Sequence, residues 1–114
     1  MNRIGLELRS ALGMQGVEHE AARLKASLAI LVTLGQRAGS ASICPSEAAR
    51  VCSAEHWREW LAAVRSAALE LEERGVLRVT QRGCTVDGRR ARGALRYVRG
   101  PAWSDLVPNE EERG

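Results

Sequence analysis

At Gly75 the apolar repeat of this chain changes from one residue in three or four to one in two, and that switch constrains the fold most. Upstream, Trp57, Trp60, Leu61, Val64, Ala68 and Leu71 form one stripe of a helix over roughly Ala54 to Arg74. Ser53 stands where an N-cap belongs and Gly75 at the C′ position that commonly ends a helix. Downstream, Val76 to Arg82 alternates, with Leu77 and Val79 inward and Arg78, Thr80 and Arg82 outward. Ala94 to Arg99 alternates again, with Leu95 and Tyr97 on one face. Gly83 to Gly93, containing Asp87-Gly88, reads as a turn-rich connection between the two strands of a hairpin.

The chain before Ser53 supplies two more helices. From Glu18 to Arg37, Leu24, Leu28, Leu31 and Gly35 fall on one face, with Ile30 and Leu34 on another. A helix apolar over more than one stripe needs cover on both sides. One side packs on the core, and the other takes the N-terminal extension or a second copy of the protein. Ile30 and Leu34 are the positions whose charging would break such a dimer. Gly39-Ser40 ends this helix, and Ala41 to Ile43 is short enough for one extended piece. Pro45 then suits the first turn of a helix ending near Cys52, and Glu47 can close a capping box on Cys44. Glu47 and Arg50, one turn apart, read as an ion pair. Helix, short strand, helix, helix, hairpin is the order of a winged helix: a mostly helical α+β domain with a three-helix helix-turn-helix core and a C-terminal β-hairpin wing. The division is residues 1–17 as an extension, 18–100 as the domain and 101–114 as an acidic tail. Trp103, beyond the domain, either docks back on it or serves as a short recognition peptide.

A chain of 114 residues suits one core, and 45% hydrophobic with 27% charged residues is the balance of a globular domain. The longest apolar run, Leu28 to Leu34, is broken by Thr33 and too short to span a bilayer. The N-terminus lacks a signal peptide's pattern, so a cytoplasmic protein without membrane association is expected. Cys44, Cys52 and Cys84 are an odd number without a Cys-x-x-Cys pair, which argues against a disulfide framework. Together with His56 they do not match a zinc knuckle. No partner base stands at a known spacing from Cys44, and no Gly-rich phosphate loop or carboxylate pair is visible. The expectation is a non-enzymatic protein without cofactor or metal, with Cys44 a capping residue.

The charge pattern points elsewhere. Seven arginines against one acid, Asp87, lie between Arg78 and Arg99, so this segment is +6 while the whole chain is only +3. Arginine binds phosphate bidentately. The single lysine, Lys25, among 17 basic residues reflects a chain-wide preference, which leaves the crowding itself unexplained. The helix before Gly75 is net −2 and offers few groups to read bases. A basic wing gripping the backbone of nucleic acid is therefore the leading expectation. Its residues are Arg78, Arg82, Arg89, Arg90, Arg92 and Arg96, assisted by Arg58 and Arg65. The competing reading is a protein-interaction or dimerisation module that makes no contact with nucleic acid.

Five motifs carry a resemblance. Cys44-Pro45-Ser46-Glu47-Ala48-Ala49-Arg50, Trp57-Arg58, Val64-Arg65, Thr80-Gln81-Arg82-Gly83 and Ala91-Arg92-Gly93-Ala94-Leu95-Arg96 occur in this order. In this the chain resembles the bacterial domain-of-unknown-function family 3253 over about residues 24–99. It departs at Trp60-Leu61, where the family tends to Leu-Met, and at Ala94, where proline is usual. The resemblance implies a small winged-helix-like domain and implies no activity.

Overall fold

The computed structural model describes residues 16–107. Three helices, α1 (Gly16–Gly35), α2 (Pro45–Cys52) and α3 (Trp57–Glu73), precede three strands, β1 (Leu77–Gln81), β2 (Cys84–Val86) and β3 (Arg96–Arg99). A short α4 (Trp103–Leu106) follows.

Alanine decides how the helices meet. Ala22, Ala26, Ala29, Ala48, Ala49, Ala63, Ala67 and Ala68 are all buried, and small side chains let helix axes approach closely. Within α1 the buried positions are Ala22, Ala26 and Ala29 with Ile30, Thr33 and Leu34, and Thr33 turns its hydroxyl back to the Ala29 carbonyl at 2.7 Å. Leu24, Leu28 and Val32 stay exposed. The stripe holding Ile30 and Leu34 is thus the core stripe, and charging either would unfold the domain, not split a dimer. The largest fully buried side chains come from both layers: Tyr97, Leu77 and Val79 from the sheet, Ile30 and Leu34 from α1, Val64 from α3, and Ile43 bridged beside Tyr97.

Helix ends follow local chemistry. Pro45 opens α2, and the Glu47 carboxylate accepts from the Cys44 amide at 3.3 Å, completing the capping box. α3 starts at Trp57, three residues later than Ser53 implied. Ser53 is used as the C-cap of α2, and its hydroxyl accepts from the His56 amide at 2.9 Å ahead of the helix. At the far end Gly75, at φ 77°, donates to Glu72 and Val76 donates to Leu71, a Schellman ending that delivers the chain straight into β1.

The basic segment is a three-stranded sheet in the order β2-β1-β3, not a plain hairpin. β1 pairs antiparallel with β3, Leu77 opposite Arg99 and Thr80 opposite Arg96, as the alternation implied. The expected loop after Arg82 contains β2, which folds back on the other edge of β1. A two-residue turn, Arg82-Gly83, joins them with both residues left-handed, at φ 55° and 82°. Ile43 adds a single bridge to Tyr97, the short extended piece between α1 and α2. Trp103 is buried against the core, so packing continues past Gly100 into α4. No helix among the described residues is long and apolar enough to cross a membrane.

Candidate nucleic-acid interface

Strand register sorts the arginines by face. Val79, Tyr97 and Val86 pair across the sheet and turn toward the helices, which leaves Arg78, Thr80, Arg96 and Val98 on the outer face. Arg82 occupies the tip of the β1–β2 hairpin. Arg89, Arg90 and Arg92 lie in the crossing segment 87–95 between β2 and β3. Arg58 and Arg65 are exposed on α3.

These side chains have three different fates. Arg96 donates from Nε to the Ser42 hydroxyl at 2.6 Å and from its terminal nitrogen to the Ser42 carbonyl at 3.1 Å, with Glu47 at 3.8 Å. Arg99 donates to the carbonyls of Leu34 and Arg37 at 3.2 and 2.9 Å and stacks on Trp103 at 4.8 Å, so it closes the C-terminus of α1. Arg89 pairs with Glu73, and Arg90 lies 3.8 Å from Asp87; both pairs are exposed. Arg78, Arg82, Arg92 and Arg65 have no acid partner among the described residues.

The crossing segment is held in place by α3. Asp87 accepts from the amides of Arg90 and Ala91 through its carbonyl, and from Arg89 through its carboxylate. The Gly88 amide donates to Glu72 at 3.1 Å. A Cβ on Gly88 would stand 2.7 Å from the Glu72 carboxylate and 2.9 Å from Val79, so only glycine fits there. Gln81 donates its side-chain amide to the Arg92 carbonyl and pins the other end. The acids ending α3 therefore anchor the basic loop. The Arg89 guanidinium is held above its usual pKa, first by the Glu73 hydrogen bond.

Glu47 behaves as a hub. Burial alone would raise its pKa, but the Cys44 amide and the Arg37 guanidinium outweigh that, and the carboxyl sits below its usual range. Its partners are Arg37 and Arg96, not Arg50, which corrects the helical-turn pairing. Arg50 stacks instead on Trp57 at 4.3 Å, while Arg58 lies against the same ring at 4.4 Å. The sequence alone gave Trp57 a packing role and left Arg50 out of the basic set. The turn after α2 is what brings residues 50 and 57 together. Cys52 is buried, and burial pushes its thiol up, which keeps it protonated; Cys84 is exposed.

Between α3, the inner sheet face and the crossing segment lies a cleft of about 560 Å³. Arg65 and Arg92, both predicted site residues, line it together. Arg58 is held apart at Trp57 in the first turn of α3, and Arg96 at Ser42.

Three helices, a single bridging residue, and a hairpin widened to a sheet define a mostly helical α+β domain of winged-helix topology. The chain belongs to the family described as protein of unknown function (DUF3253), which matches residues 19–100. No curated protein matches it.

Proposed function

We propose that this domain binds nucleic acid through the sugar–phosphate backbone, with little base preference. One observation carries the reading: Arg78, Arg82 and Arg92 leave a single basic segment with no acid partner among the described residues. Arg65 adds a fourth such guanidinium from α3. Arg82 supports the reading further, because it sits in a left-handed turn position where Gly or Asn is less strained than arginine. The Arg50–Trp57–Arg58 stack holds two more cations at the start of α3. The acidic far end of that helix argues against deep major-groove reading.

Fluorescence anisotropy with generic duplex DNA across a salt series tests this. Four phosphate contacts give a slope of log K against log salt of about −4. Structured RNA in the same assay decides which duplex is preferred. Absence of binding to either at low salt, with the protein folded, would end the proposal.

A second reading is self-association through α1. Leu24, Leu28 and Val32 are 62%, 55% and 51% exposed, and Val51 beside them is 56% exposed. Leu28, Val32 and Val51 line a shared shallow groove, a contiguous apolar strip of the kind that marks an interface. Leu28→Glu should convert a dimer to a monomer in sedimentation equilibrium with its melting temperature unchanged. A wild-type monomer at high concentration would dismiss this reading.

A further inference from the structure

The cleft under the crossing segment has features that backbone binding does not use. Its volume of about 560 Å³ falls in the range of small-molecule sites, whose walls are mostly apolar with a few convergent polar groups. Val79, Leu95 and Ala68 supply apolar wall, while Arg65 and Arg92 supply two guanidiniums with no acid partner among the described residues. Tyr97 also lines it. That residue is 2% exposed overall, and its hydroxyl makes no hydrogen bond among the described residues, which leaves that donor open to a ligand in the cleft. The walls are fixed in advance, because Glu72 and Gln81 hold the crossing segment open at its two ends.

We propose that this cleft is a binding site for a small amphipathic carboxylate, whose anionic head meets Arg65 and Arg92 and whose apolar body lies on Val79 and Leu95. The Tyr97 hydroxyl donates to the same head group. Burial pushes that phenol up to about 12, so it keeps its proton throughout the neutral range. A nucleic-acid backbone supplies the anion but not the apolar body, so the site asks for a different ligand from the outer sheet face. The inference does not depend on nucleic-acid binding, although Arg65 and Arg92 are shared with that surface.

The test is calorimetric titration of the whole chain with octanoate and 2-naphthoate. Octanol serves as the uncharged control and inorganic phosphate as the control without a body. Saturable binding of a carboxylate, absent with both controls, is the expected result. Arg65→Gln and Arg92→Gln should each weaken it about tenfold, the effect of removing one charged hydrogen bond. Ala91→Phe, which adds bulk at a residue lining the cleft, should abolish it. Should that variant fail to fold, the two arginine variants decide. No saturable binding of either carboxylate, equal binding of octanol or phosphate, or wild-type affinity in both arginine variants would overturn the proposal.

Discussion

Arg99 and Arg82 belong to the same small sheet and lead opposite lives. Arg99, on β3, donates from a terminal nitrogen to the carbonyls of Leu34 and Arg37, at and just past the end of α1, and lays its guanidinium on Trp103. Arg82, at the far end of β1, is exposed in a left-handed turn without an ion-pair partner among the described residues. Arg96 sides with Arg99, and Arg78 and Arg92 side with Arg82. The difference is one of place. β3 runs between β1 and the bridge at Ile43, so its side chains reach α1 and the start of α2, where carbonyls and Glu47 are waiting. The β1–β2 hairpin reaches beyond these partners. A charge count over residues 78–99 therefore overstates what is available to a phosphate, since part of it is structural reinforcement.

Exchanging the two sets is the sharpest way to break this comparison. Arg78→Ala/Arg82→Ala/Arg92→Ala should weaken duplex binding on the order of a hundredfold near 0.1 M salt and reduce the salt slope by about three. Thermal unfolding should be unmoved, as exposed positions without partners rarely matter for stability. Arg96→Ala/Arg99→Ala should reverse the pattern. It should cost about 2 kcal/mol of stability, a fall of about 10 °C in melting temperature, while keeping the salt slope nearly intact. Equal effects of the triple and the double variant on affinity would erase the distinction.

A smaller effect sharpens the structural half. Glu47 holds Arg37, Arg96 and the α2 cap, and its pKa in the fold lies below the ordinary value of 4.5. A carboxyl lowered on folding stabilises the native state above its unfolded pKa, and that support disappears as pH falls through the folded value. Glu47→Gln should therefore lose about 1 kcal/mol near neutrality. The gap to wild type should hold above the ordinary value of 4.5 and narrow as pH falls below it, and denaturant melts at pH 7, 5 and 3.5 measure it. A gap constant across that range would remove Glu47 from the hub.

The architecture was legible because its signals are local. The change of period at Gly75, the Pro45 and Glu47 start, and the alternation of β1 and β3 each depend on residues close in sequence. β2 was not legible: it is only Cys84–Val86, and Arg82-Gly83 lacks the Asn-Gly or Asp-Gly that ordinarily announces a tight hairpin. The inward face of α1 was misassigned for a geometric reason. Closely packed helices select small volume over hydrophobicity, so Ala26 is buried while Leu28 is not. The residues of the candidate interface were all visible as arginines, but their roles were not. Arg96 meets Ser42 and Arg99 meets Leu34 across more than 50 positions of chain. The cleft is assembled from α3, the sheet and the crossing segment, and no stretch of sequence contains it.

Each of the three tryptophans carries a cation on its ring: Trp57 has Arg50 and Arg58, Trp60 has Lys25 at 5.0 Å, and Trp103 has Arg99. Indole emission responds to charge beside the ring, so the molecule holds its own set of optical probes. Trp57 watches the turn between α2 and α3, and Trp103 watches the seam where the chain closes on α1. Variants that keep one tryptophan at a time would separate the arrival of a polyanion from the loosening of the fold, without an attached dye.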